Sequence, residues 1–139
     1  MTSAERGWVA GIIDGEGCIS ARMYNHCSIW ATIQVKMCSA AAIQHLHSVT
    51  GVGSVNRKQV VTTGLRPIYS WTVSKTAAVP LLKELLPYLV VKAKQAEVFI
   101  DLITNLKSMN RGTEEDVVEQ EVERRLLLIQ YLKDLKKEN

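Results

Sequence analysis

The side chains whose type and spacing best suit chemistry are Asp14 and Glu16, two carboxylates at the end of the stretch GWVAGIIDGEG, residues 7–17. Carboxylate oxygens are the donors that hard divalent cations select. A cation so held can activate a water and offset charge on a phosphoryl oxygen. Glu16 lies between Gly15 and Gly17, which allow a close approach of the backbone to a ligand or a second chain. It is the candidate metal ligand; the alternative for a glutamate beside glycine is a solvated turn acid. Asp14, in the last helical turn, is expected to bond backbone amides and to act structurally. An EF-hand loop starting at Asp14 is excluded, because its sixth position would be Ile19 instead of glycine. His45 and His47 stand two apart, which on a helix turns them in different directions. Cys18, Cys27 and Cys38 lack paired metal spacing and read as reduced thiols in strands.

The element that carries the two acids begins with Thr2 and Glu5, the spacing of a capping box. Gly7 and Gly11 lie one turn apart with Ala10 beside them, a face small enough for another backbone to pack on closely. Beyond Gly17, residues 18–25 alternate, with Ile19, Ala21 and Met23 on one side and Ser20, Arg22 and Tyr24 on the other. Residues 29–37 repeat the pattern: Ile29, Ala31, Ile33, Val35 and Met37 face one way, and Trp30, Thr32, Gln34 and Lys36 the other. Ser39 caps a helix over 40–50 that Gly51 stops. Strands over 54–61 and 68–74 follow, joined by a turn around Thr63 and Gly64. Helices are expected over 76–86, 92–108 and 114–136. The order is α-β-β-α-β-β-α with extra C-terminal helices, an α+β fold in which a near-repeat of helix and hairpin builds one antiparallel sheet.

Such a sheet covers one face with helices and leaves the other open. The open face here would present Ser20, Arg22, Tyr24, Trp30, Thr32, Gln34, Lys36, Ser70 and Thr72, with Asn56 and Lys58 favoured over Arg57 and Gln59 for the third strand. Arginine suits guanine edges, glutamine adenine, and threonine or aromatic groups the thymine methyl; a two-stranded ribbon fits the major groove. Any one of these residues alone reads equally as a solvated strand position. Trp30 is the least easily explained that way, because an outward tryptophan invites a cover. The net charge is only +3, but eight of the fourteen acids lie from Glu114 onward, leaving twelve Lys and Arg against six acids in residues 1–113. That basic front suits a polyanion. The 139 residues, 47% hydrophobic with a mean hydropathy of +0.01, suit one globular domain over 1–139. No apolar run reaches the roughly 20 residues of a membrane span, and the N-terminus lacks the pattern of a signal peptide. An intracellular protein is expected, in the cytoplasm of a bacterium or phage-infected cell or in an organelle matrix, without a membrane partner or small-molecule substrate.

Residues 9–17, VAGIIDGEG, resemble the signature of the LAGLIDADG homing endonucleases. Ala10, Gly11, Asp14, Gly15 and Gly17 match its usual pattern, Val9 and Ile12 are apolar replacements, and Glu16 stands for the final acid. Residues 87–96, PYLVVKAKQA, resemble the segment that enters the helix after the second hairpin, with Lys92 at the position that points into the active site. The resemblance implies a saddle-shaped sheet on double-stranded DNA, Mg²⁺ (or Mn²⁺) held by Glu16 with the Gly15 carbonyl as a further donor, and Lys92 stabilising phosphate charge or positioning water. It also implies cleavage across the minor groove with short 3′ overhangs. One motif per chain implies a homodimer packed through Gly7, Ala10, Gly11 and Asp14, acting on a long pseudo-palindromic site. Met37 departs from the pattern, which commonly has a polar residue at the end of the second strand. The rival readings are a non-catalytic relative (an RNA maturase or a DNA-binding regulator) and an α+β interaction module whose first helix only dimerises.

Overall fold

The computed structural model describes residues 1–58 and 65–138. Helix α1, Ser3–Glu16, starts on the expected capping box: the Glu5 amide donates to the Thr2 hydroxyl at 3.1 Å, and the Thr2 amide to the Glu5 carboxylate at 2.8 Å. It buries Val9, Ala10 and Ile13 and passes into strand β1, Gly17–Tyr24, with no intervening turn. Gly17 makes this junction possible. A Cβ there would lie 2.7 Å from the Ile13 carbonyl oxygen, inside its backbone contact distance. Strand β2, Ser28–Met37, returns antiparallel to β1. Helix α2, Ala40–Thr50, is capped by Ser39 and closed by Gly51 in the left-handed region at φ 68°.

Strands β3, Ser54–Lys58, and β4, Ile68–Ser74, complete a four-stranded antiparallel sheet of order β1-β2-β4-β3. The turn expected at Thr63 and Gly64, and the continuation of the third strand to 61, lie outside the described residues. Helix α3, Lys75–Leu85, runs into a short 3₁₀ turn, Leu86–Tyr88. Helices α4, Ala93–Thr104, and α5, Glu115–Glu138, follow. The expected helix over 92–108 is therefore shorter, with Lys92 at its cap and a non-helical connection after Thr104.

The alternation of the strands has the expected consequence. Ile19, Ala21, Ile29, Ala31, Ile33, Val35, Trp71 and Val73 are buried under the helices, while the other face of each strand is open. Burial of this apolar layer is the main favourable term holding helices to sheet. Trp71 is fully buried, and its indole N–H donates to the Val52 carbonyl at 3.0 Å, so the core carries no unpaired donor at its largest side chain. No helix among the described residues is long and apolar enough to cross a membrane.

Candidate functional site

Glu16 is the last residue of α1 and is exposed. Its carboxylate makes no hydrogen bond or ion pair with the described residues, which leaves both oxygens open to a ligand. It lines a cleft of about 330 Å³ with Lys36, Met37, Cys38 and Ile68. Asp14 is engaged quite differently. One oxygen accepts the Val90 amide and the other the Lys92 amide, each at 2.9 Å. The acid that ends the apolar face of α1 thus ties down the segment preceding α4, the structural role expected of it, but toward another element instead of its own helix.

Lys92 arrives at the same corner. Its ammonium donates to the Asp14 backbone carbonyl at 2.6 Å, where the unpaired carbonyls of a helix end carry partial negative charge. A second cation reaches the neighbourhood from far along the chain. Lys136, in the last turn of α5, donates to the Ser20 hydroxyl at 2.9 Å and contacts the Cys18 sulfur at 3.5 Å. Sequence reading missed Lys136, because its spacing from β1 is set only by how α5 packs. Burial pushes the Cys18 thiol up, but the Ser20 hydroxyl, Lys136 and Lys92 outweigh it, and the thiol lies below its ordinary value. This end of the sheet therefore collects an open carboxylate and the ammonium groups of Lys92 and Lys136, beside the Lys36 that lines the Glu16 cleft.

From that corner the polar face extends across all four strands. Pairing sets Arg22 opposite Trp30, Ser20 opposite Thr32, Gln34 opposite Thr72 and Lys36 opposite Ser70. Asn56 then faces Ser70 and Lys58 faces Ile68, so the favoured register of the third strand is the one found. Arg57 falls on the other face beside the Tyr69 ring at 5.9 Å. The Arg22 guanidinium lies 4.9 Å over the Trp30 ring, and the Gln34 amide donates to the Thr72 hydroxyl at 3.3 Å. Trp30 remains 53% exposed and Tyr24 is exposed beside it. Open hollows lie along this face, one bounded by Tyr24, Trp30, Thr72 and Lys75, another by Arg22, Gln34 and Thr72.

The small face of α1 differs in one residue from the expected set. Ala10 is fully buried in the core, because it shares the inner stripe with Val9 and Ile13. The open stripe is instead Gly7, Gly11 and Gly15, and a Cβ at any of them would meet nothing within 4 Å. Asp14 is half-buried at its border. Next to it the chain exposes Val90 at 83% and Val91. Sequence reading missed Gly15 and these valines as part of the surface. Met37, the departure noted above, is half-buried, packs on the core and lines the Glu16 cleft. Among the described residues no three His, Cys, Asp or Glu side chains come together as a metal site.

No protein-family model matches the chain, and no curated protein matches its sequence. Solved structures do match. The homing endonuclease I-CvuI, in complex with its target, is 23% identical with a TM-score of 0.71, over 95% of this chain and 82% of that one. An archaeal intron-encoded homing endonuclease complexed with DNA is 14% identical with a TM-score of 0.73, over 95% and 84%. The LAGLIDADG homing endonuclease I-GzeII, in complex with a DNA target, is 17% identical with a TM-score of 0.69, and 89% of this chain covers 43% of it. The α+β architecture built around the helix that ends in Asp14 and Glu16 is the fold of the LAGLIDADG homing endonucleases.

Proposed function

We propose that this protein is a site-specific double-strand DNA endonuclease that works as a homodimer with a divalent cation. The observation that carries the reading is the continuity of two surfaces: the polar strand face runs directly into the corner that holds the free Glu16 carboxylate. Neighbours of the same fold were solved as homing endonucleases on DNA, with Ca or Mg present. In this reading Ser20, Arg22, Tyr24, Trp30, Thr32, Gln34, Lys36, Asn56, Lys58, Ser70 and Thr72 face the bases and backbone of the major groove.

The residues at the corner fit a hard cation in their donor chemistry but not in number. Glu16 offers free carboxylate oxygens, whereas both Asp14 oxygens are taken by backbone amides. One carboxylate per chain is too few, and the remaining donors would come from the DNA phosphate, the Gly15 carbonyl and a second copy's Glu16. Mg²⁺ or Mn²⁺ bound there would supply an activated water and charge neutralisation. Lys92 and Lys136 bring positive charge to where the phosphate's negative charge grows during hydrolysis. Lys92 also fixes the end of α1, and with it the direction of Glu16.

The second copy is supported by the open Gly7, Gly11 and Gly15 stripe with exposed Val90 beside it. Two such helices crossing on a two-fold axis bring two Glu16 side chains together, and the symmetry suits a pseudo-palindromic site. Each copy would cut one strand across the minor groove and leave short 3′ overhangs. Met37 favours a second reading, a scaffold that binds nucleic acid without cutting, since a thioether in the Glu16 cleft cannot order water as an amide would. Selection of a target from a random duplex library, followed by incubation with Mg²⁺ and mapping of the ends, decides between them. Double-strand scission at the centre of the selected site is expected; tight binding with intact DNA in both Mg²⁺ and Mn²⁺ establishes the second reading.

A further inference from the structure

A buried ion pair lies far from the Glu16 corner, under the opposite end of the sheet. Arg125 is 6% exposed and Glu121 2%, one turn apart on α5. The three guanidinium nitrogens of Arg125 serve three partners. Nε donates to Glu121 at 2.9 Å, Nη2 to the Lys107 carbonyl at 2.8 Å, and Nη1 to the Cys27 carbonyl. Glu121 in turn accepts the Lys107 amide at 3.3 Å. Its second oxygen is buried and makes no hydrogen bond among the described residues. A buried pair with an unsatisfied oxygen is a poor way to stabilise a fold, and an apolar pair of the same volume often does as well. What an apolar pair cannot supply is a directed donor to the Cys27 carbonyl.

Cys27 belongs to the turn between β1 and β2, whose last paired residues are Tyr24 and Ser28. Asn25 and His26 in that turn both have positive φ, 48° and 68°, a conformation uncommon for side-chain-bearing residues, though asparagine and histidine adopt it more often than most. Strand β1 is an edge strand, so among the described residues no further strand braces the turn from outside. Arg22 and Tyr24 stand on the polar face just before the turn, and Trp30 just after it. Eight residues of β1 separate this tip from the Glu16 corner, about 27 Å at the rise of an extended strand. On a duplex rising 3.4 Å per base pair, that is roughly 8 base pairs from the centre of the site.

We propose that Glu121 and Arg125 form a strut that sets the pitch of the β1–β2 tip, and so determines discrimination at the outermost base pairs of each half-site. Arg125 is a positioning residue: it touches no DNA and acts through the Cys27 carbonyl on Arg22, Tyr24 and Trp30. The proposal rests on the reading of the polar face as a DNA surface.

The test uses the full chain, its selected target and a panel of single base-pair changes along one half-site, read by equilibrium binding in Ca²⁺. Two variants are compared: Glu121→Leu with Arg125→Met, which removes both charges, and Arg125→Lys, which keeps the charge but loses the three-way fork. Single mismatches typically change affinity by about 5- to 150-fold. At the outermost positions both variants are expected to lose about 10-fold of that discrimination, with the inner positions within about 2-fold of wild type. A loss spread evenly over the half-site, or discrimination unchanged at every position, overturns the proposal. If the double variant does not fold, the lysine variant alone gives either result. A wild type that selects no site at all overturns the DNA reading and the strut together.

Discussion

Asp14 and Glu16 are two positions apart and have opposite surroundings, because the helix rotates one toward the 90–92 segment and leaves the other in the open. That division was legible in the sequence: an acid at the end of an apolar helix stripe finds amides, and an acid framed by glycines stays accessible. The cluster of cations was only half legible. Lys92 came into view through the segment around it, whereas nothing local in the α5 sequence says that Lys136 will meet Ser20. The thiol between them reports on this arrangement. With its value held below the ordinary one by Ser20, Lys136 and Lys92 against the effect of burial, Cys18 should be alkylated by iodoacetamide at pH 7.5 faster than Cys38. Lys136→Ala should slow Cys18 several-fold by raising the thiol and shrinking the thiolate fraction. Equal rates in the two proteins, measured by mass spectrometry of the labelled peptides, would place Lys136 away from the corner.

At the scale of elements, strand alternation was the most legible signal, since a one-residue slip would have put every apolar side chain of a strand into water. The third strand was ambiguous because Asn56, Arg57, Lys58 and Gln59 are all polar, and its pairing with β4 resolved it. Helix α5 was the least legible in what it buries. Its inner face holds Ile129, Leu132 and Leu135 together with Glu121 and Arg125, and two charges on a core face look like solvent positions until the loop carbonyls that meet Arg125 are known. Burial pushes the Glu121 carboxyl up, but the bonds from Arg125 and the Lys107 amide prevail and hold it below its ordinary 4.5. A carboxyl lowered on folding adds stability above its unfolded value and loses it as pH falls through the folded one. Wild type should therefore lose more thermal stability between pH 6 and pH 3.5 than the Glu121→Leu, Arg125→Met variant. Parallel pH dependences of the melting temperature for the two would show that folding leaves the Glu121 carboxyl unshifted.

The described residues form a layer of helices on a four-stranded sheet, with a second open surface on α1. The glycines there have room: a Cβ at Gly11 meets nothing within 4 Å in one chain. Gly11→Leu should then cost the monomer no more than a helix substitution does, and a glycine replaced by a better helix former can even add stability. In a helix-to-helix dimer the same leucine forces the backbones apart. Wild type is expected to sediment as a dimer at micromolar concentration and Gly11→Leu as a folded monomer; a dimeric variant would move the interface elsewhere. Whether the open carboxylate at the end of α1 makes the proposed DNA surface a nuclease is decided by one comparison. Wild type and Glu16→Gln are incubated with the selected duplex and Mg²⁺, and binding and scission are followed in the same samples. Double-strand cleavage is expected from wild type and none from Glu16→Gln, at affinities within about 3-fold of each other, since the amide keeps the shape but loses the charge that would hold the cation. Cleavage retained by Glu16→Gln would contradict that role for the carboxylate.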